Sequence, residues 1–245
     1  MKTLVIIPSR LSATRLPGKP LLKINGLSII SHVLKKAEMA NIGEVLVATE
    51  DQEIIDDVKQ NGGQAILTKN KHKTGTDRIH EALKKINNSD IDLIMNLQGD
   101  EPLMNVEDIR NLNNQMIKKS HQLGTLAAKI LDKKIHQNQN VVKVETKEKL
   151  NSSNFPEANN FIRQNTVQKE NIYHHLGIYC YQKETLENFV SLKQSSNEVK
   201  NNLEQLRAMD NDIKINVALA KSSPIGIDTE EDFVAIKKIM EYKTQ

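Results

Sequence analysis

The stretch TLVIIPSRLSATRLPGKPLLKING, Thr3 to Gly26, decides how the rest of the chain reads. Its first six residues are apolar and β-branched, the composition of a strand buried on both faces. A loop with Pro17, Gly18 and Pro20 follows, and then an amphipathic helix over 28–40. The loop carries Arg10, Arg15, Lys19 and Lys23, and the first acidic residue of the chain is Glu38. Cations left unpaired in sequence call for an anion in space.

Beyond the loop, short apolar runs alternate with helical periods. Strands are predicted over 44–50, 64–68, 92–100 and 124–130, with helices over 51–62, 76–86 and 106–120 between them. This alternation predicts an α/β fold, a doubly wound and mostly parallel sheet of Rossmann-like type. After residue 130 the pattern loosens. Segments 132–140 and 145–160 read as loops, 141–145 and 174–181 as strands, 201–211 as a helix, 214–220 as a strand and 228–243 as a closing helix. The simplest organisation is a single domain over 1–245 with an excursion near 130–200, a plausible dimer interface. Ligands in such sheets sit beyond the carboxyl ends of the strands, which directs attention to the loops after 3–8, 92–97 and 214–220.

The 245 residues are 38% hydrophobic and 27% charged with a net charge of +3. That balance indicates a globular protein without the extended basic stripe that nucleic acid requires. Cys180 is the only cysteine, so no intrachain disulfide forms and a reducing, cytoplasmic location is expected. The apolar N-terminus is broken by Pro8 and Arg10, short of a secretory core. No run reaches the ~20 apolar residues of a membrane span.

Two phosphate-binding motifs fail in the first loop. A dinucleotide fingerprint needs three spaced glycines, and the loop has Gly18 alone. A Walker A loop needs glycine where Ala13 stands and a hydroxyl where Pro20 stands. What remains is a loop of fixed cations and the hydroxyls of Ser12 and Thr14. Gly18 is read as allowing close approach of the backbone. Arg10 and Arg15 can fork onto phosphate oxygens while Lys19 acts as a point charge, and a triphosphate is the natural partner. The competing reading is a solvated basic turn.

The wording of this loop resembles the opening signature of the CMP-Kdo synthetases, the 3-deoxy-manno-octulosonate cytidylyltransferases. The resemblance continues in order through VATEDQEI, TGTDR, NLQGDEPL, HHLGIYCY, NLEQLR and GIDTEEDF. It implies a magnesium-dependent transfer of CMP from CTP to the anomeric hydroxyl of Kdo (3-deoxy-manno-octulosonate), with release of pyrophosphate, for lipopolysaccharide assembly. It also implies a homodimer. Arg10, Lys19 and Asp100 are then the catalytic groups, and Asp100 and Asp228 the metal ligands. Taken singly, Asp100 reads as a turn residue, and Asp228 as structural, since it precedes the helix-capping pair Thr229 and Asp232. Jointly they suit magnesium, which takes one or two carboxylates with phosphates and water. Glu101 reads as a local hydrogen-bonding group.

The CTP set is Arg10, Ser12, Thr14, Arg15, Lys19, Thr74, Gly75, Arg78 and Gln98. Without the resemblance, Arg78 reads as a solvated residue of a first helical turn. The sugar acid carries a carboxylate, for which Arg163 and His175 are the candidates, joined by Gln98, Glu204 and Gln205. Adjacent histidines on a strand point to opposite faces, so one of His174 and His175 is expected inward. The segment ANNFIRQNTV, Ala158 to Val167, departs from the family wording A-x-Y-F-S-R-x-x-I-P. That departure leaves a modified acceptor open, such as 8-amino-Kdo or another ulosonic acid. A non-catalytic binding protein on the same scaffold would be expected to lack Lys19, Asp100 or Asp228, and all three are present.

Overall fold

The computed structural model describes residues 1–12, 15–70, 72–163, 170–224 and 226–242. In chain order its elements are β1 (Thr3–Ser9), β2 (Lys23–Ile24), β3 (Leu27–Ser28), α1 (Ile29–Ala40), β4 (Gly43–Thr49), α2 (Gln52–Gln60), β5 (Ala65–Leu67) and α3 (Gly75–Ile86). There follow β6 (Leu93–Asn96), α4 (Val106–Lys119), β7 (Leu123–Ala128), α5 (Lys133–Gln137), β8 (Lys143–Thr146), β9 (Ala158–Ile162) and β10 (Ile172–Gln182). The chain ends with α6 (Lys183–Ser191), α7 (Ser196–Asn201), α8 (Gln205–Met209), β11 (Ile215–Leu219) and α9 (Glu230–Tyr242). The class is α/β, as the alternation predicts. Two compact units divide the chain. The N-terminal unit holds Lys2–Ile91, Asn96–Val106 and Pro224–Gln245, and the central unit holds Met1, Asp92–Met95 and Glu107–Ser223.

In the N-terminal unit, β1 pairs in parallel with β4, and β4 with β5. Val5, Ile6 and Ile7 of β1 and Val47 and Ala48 of β4 are buried, which explains why these strands read as unbroken apolar runs. Helix α1 starts at the Ser28 cap, whose side chain accepts from the Ser31 amide, and ends where Asn41 turns left-handed at φ 50°. Its apolar face, Ile30, Val33, Leu34 and Ala37, is fully buried. A separate cluster of Ile24, Ile29, Ile227 and Ile236 joins the segment after β1 to the start of α9. Burial of each such side chain stabilises by roughly 1.5–3 kcal/mol, so this cluster fixes where the C-terminal segment lies.

The central unit is mixed. β11 runs parallel to β7, whereas β10 is antiparallel to β7 and to β8, and β8 to β9. The antiparallel pairs coincide with the region where the sequence alternation loosens. Four readings are corrected here. Residues 133–137 form a helical turn and 158–162 a strand, where loops were expected. Helices α6 and α7 were not anticipated. The helix expected over 201–211 is broken, because Asn202 adopts φ 50° as the C-cap of α7 and α8 starts only at Gln205. Finally, His174 and His175 are both buried, since β10 is flanked by paired strands and covered on both faces.

The central unit is anchored by a buried ion pair. Ser195 and Glu198 form a capping box at the start of α7. The same Glu198 carboxylate accepts Nε of Arg207 at 2.8 Å and Nη2 at 2.5 Å. Arg207 also stacks over the Phe189 ring at 4.8 Å. Burial pushes the Glu198 carboxyl up, but the bonds from Arg207, Gln194 and the Ser195 amide outweigh it and leave it below its ordinary value. A carboxylate depressed in the folded state adds stability above its unfolded pKa and loses it as pH falls through the folded one. Arg207→Met is therefore expected to destabilise by about 3–5 kcal/mol at pH 7 by stranding a buried carboxylate. The difference from wild type should shrink below the ordinary carboxylate range. Denaturant melts at neutral and acidic pH check this, and a pH-independent difference would refute it.

Candidate active site

Beyond the end of β1 the basic loop is tied down by its own backbone and by α2. Asp51, the residue before α2, accepts the Leu11 amide at 2.7 Å, and the Gly18 amide returns to the Leu11 carbonyl at 3.2 Å. Gly18 sits at φ 69° and starts a 3-10 turn over Lys19–Leu21. A Cβ at Gly18 would meet nothing within 4 Å. Its glycine thus serves the left-handed backbone, correcting the expectation of close approach. That turn aims Lys19 inward.

The turn after β6 brings Asp100 to the same place. The Leu97 amide bonds the Ile6 carbonyl of β1 at 3.2 Å. A Cβ at Gly99 would stand 3.0 Å from the Pro8 carbonyl oxygen, so glycine is what lets the turn lie against the exit of β1. The C-terminal segment arrives through the Ile227 amide, which donates to the Asp100 carbonyl at 2.9 Å. Thr229 and Asp232 cap α9 reciprocally, as their spacing predicts. The Asp228 side chain is left to face the loop.

Lys19 is the meeting point. Its ammonium donates to Asp100 Oδ2 at 2.6 Å and to the Ile227 carbonyl at 2.6 Å, and lies 3.5 Å from Asp228 Oδ1. Arg15 Nη2 stands 3.1 Å from Asp228 Oδ2. Two of the loop's cations, Arg15 and Lys19, are thus held by the two carboxylates. Beside them the Glu101 carboxyl is pushed up to about 8 by burial and by the charges of Asp100 and Asp228. It is mostly protonated at neutral pH, and its Oε2 has no hydrogen-bond partner among the described residues.

A cavity of about 350 Å³ opens over this cluster. It is lined by Arg10, Ser12, Arg15, Lys19, Thr74, Gly75, Arg78, Gln98, Asp100 and Asp228. The volume lies within the range of small-molecule sites. Eight of the nine residues read as CTP contacts line it, as do both aspartates; Thr14 lies outside the described residues. Several of these side chains already have partners in the protein. The Thr74 hydroxyl caps α3 by accepting the Asp77 amide. Arg78 is buried, donating to Thr68 Oγ1 and to Glu50 Oε2, each at 2.6 Å. The solvated reading of Arg78 is thus overturned, because its guanidinium ties the loop after β5 to the end of β4. Gln98 donates to Asn96 at 3.0 Å.

His72 and Lys73 also line the cavity and were not singled out. The basic run KNKHK before TGTDR was the available signal. Glu81 of α3 organises this segment, accepting the Lys69 amide, His72 Nε2 and the Lys85 ammonium. Burial raises the Glu81 carboxyl, yet these donors together hold it down at about 2.

Apart from Gln98, the residues assigned to the sugar acid lie in the central unit. Arg163 donates to the carbonyls of Asn201, Asn202 and Gln139. The Thr125 hydroxyl donates to the Ile178 carbonyl at 2.7 Å, leaving a lone pair for His175 Nε2 at 3.0 Å. Burial, with His174 beside it, lowers the His175 pKa to about 3. His175 is therefore neutral at physiological pH and offers a hydrogen bond, not the positive charge expected of it. Glu204 lies 3.7 Å from Arg207, and Gln205 is buried at the start of α8.

Among the described residues no three His, Cys, Asp or Glu are grouped to hold a metal ion. Asp100 and Asp228 do converge on one ammonium, however. A place that two carboxylates already fill with positive charge fits a divalent cation that completes its shell with phosphate and water.

The cytidylyltransferase family profile matches residues 4–215. A 3-deoxy-manno-octulosonate cytidylyltransferase of Rhodopseudomonas palustris (strain BisB18) is 40% identical over 241 residues, 98% of each chain. One from Afipia carboxidovorans is 41% identical over 240 residues, 97% of this chain and 96% of that one. A solved structure of CMP:2-keto-3-deoxy-manno-octonic acid synthetase complexed with CTP superposes with a TM-score of 0.89 at 33% identity, covering 99% of this chain and all of that one. A likeness running the length of the sequence and the fold places this chain in the cytidylyltransferase family of nucleotidyltransferases, among the 3-deoxy-manno-octulosonate cytidylyltransferases.

Proposed function

We propose that this protein transfers CMP from CTP to the anomeric hydroxyl of Kdo, releasing pyrophosphate, as a step toward lipopolysaccharide. The hydroxyl oxygen forms a bond to the α-phosphorus, the bond from that phosphorus to the bridging oxygen breaks, and the hydroxyl proton leaves to solvent. The observation that carries this reading is the convergence of Lys19 with Asp100 and Asp228, with Arg15 on the same carboxylate. A triphosphate entering the cavity takes over the cations, and Arg10, Arg15 and Lys19 offset the charge that builds as pyrophosphate departs. Asp100 and Asp228 are the residues that would hold magnesium, which when bound supplies positive charge to the phosphoryl oxygens. Arg163, Glu204 and Gln205 are assigned to the sugar acid, Arg163 to its carboxylate. The working form is taken to be a cytoplasmic homodimer.

A modified acid is the second reading, and β9 favours it. Asn160 is exposed there, where the family wording carries an aromatic side chain. Incubation with CTP, magnesium and a panel containing Kdo, 8-amino-Kdo and other ulosonic acids, followed by mass spectrometry, separates these readings. CMP-Kdo as the main product is expected, and CTP binding without any nucleotide–sugar product would defeat both.

Two measurements address the charge cluster. Lys19→Met is expected to lower kcat/KM by roughly 10²–10³, the scale of losing one preorganised electrostatic contact; a loss below threefold in a folded variant would remove Lys19 from the mechanism. In calorimetry, CTP should bind more tightly with magnesium than without it, because the aspartates otherwise compete for Arg15 and Lys19. Asp228→Asn should tighten metal-free binding and reduce the magnesium dependence. Weaker metal-free binding by that variant would show that Asp228 does not restrain the cations.

A further inference from the structure

Lys143, on β8, is fully buried, a rare state for lysine without a counter-ion. Its ammonium donates to three main-chain carbonyls: Asn138 at 2.6 Å, Val141 at 2.9 Å and Arg163 at 2.6 Å. Arg163 repeats the pattern. Its Nε, Nη1 and Nη2 reach the carbonyls of Asn201, Gln139 and Asn202 at 3.2, 3.3 and 3.1 Å. Neither side chain forms an ion pair with a carboxylate among the described residues. Burial, with the charge of Arg163 added, lowers the Lys143 pKa.

Carbonyl dipoles satisfy the donors of a cation but leave its net charge in place. A buried positive charge such as Lys143 without an anion is costly, and the Arg163 guanidinium adds a second positive charge at the more exposed edge beside it, which leaves their field for an anion from outside. The contacts also have a direction. Lys143 clips the 138–141 turn to the end of β9 through the main chain of Arg163. The Arg163 side chain then binds the last carbonyls of α7, two residues before Glu204 and three before Gln205.

We propose that Lys143 is a positioning residue of the acceptor site: it fixes Arg163 against the end of α7 and, with it, provides the uncompensated positive charge that recognises the acceptor's carboxylate. The inference rests on the proposed reading that the sugar acid binds through Arg163, Glu204 and Gln205. It assigns Lys143 no contact with substrate. A purely structural lysine would lower stability on replacement without favouring one substrate over the other.

The test measures steady-state kinetics with whichever acid of the panel the wild type turns over, for Lys143→Met and Lys143→Gln. The KM for the acid is expected to rise about tenfold in both, with kcat and the KM for CTP within twofold of wild type. CTP titration calorimetry reports that each variant is folded and competent. An unchanged KM for the acid in a variant that binds CTP, or equal changes for both substrates, overturns the inference while leaving the acceptor reading intact. A wild type that turns over none of the acids defeats that reading and this inference with it. If neither variant binds CTP, amide exchange in the wild type decides: saturating acid should slow exchange in 138–143 and 158–163, and unaltered exchange there overturns the proposal.

Discussion

The site depends on one ammonium. Lys19 holds Asp100 and Ile227 directly and Asp228 more loosely, joining segments 81 and 208 residues away along the chain. Coulomb attraction alone does not assemble them, since Asp228 is half exposed and exposed ion pairs stabilise little. The apolar cluster of Ile24, Ile29, Ile227 and Ile236 supplies the closure, and the charges then settle at its edge. Burial sets the framework, and electrostatics decides how the framework is used.

The same cluster makes the site self-neutralising. Loop cations that would repel one another are screened by the aspartates, and aspartates that would repel one another are screened by the cations. Such an arrangement stabilises a cavity in which charges of both signs lie close together. Beside the cluster, burial first and the charges of Asp100 and Asp228 second push the Glu101 carboxyl up to about 8.

The central unit handles charge differently. Arg207 and Glu198 neutralise each other out of solvent, whereas Lys143 and Arg163 are satisfied by carbonyls that cancel no charge. His175 loses its charge to burial. The fixed positive potential of the unit's candidate acceptor residues therefore resides in Arg163 and the lysine beneath it, and not in the histidine pair that stands out in the sequence.

The sequence by itself determined the class of fold and the position of the basic loop after β1. Periods of buried strand and amphipathic helix are local properties, and the acid-free run from Arg10 to Lys23 needed no partner to be visible. The capping pair Thr229 and Asp232 was legible for the same reason, being three residues apart. Only the tertiary structure decided which polar groups remain available. Arg78 turned out to be committed to Glu50 and Thr68, Gly18 to a left-handed turn, and Lys143 to three carbonyls. The Arg78 partners lie 10 and 28 residues away and the Arg163 carbonyl that holds Lys143 lies 20 away, at no helical or strand period. A side chain's role depends on solvent exposure and on the groups within about 3 Å of it, and both are set by packing between segments distant in sequence.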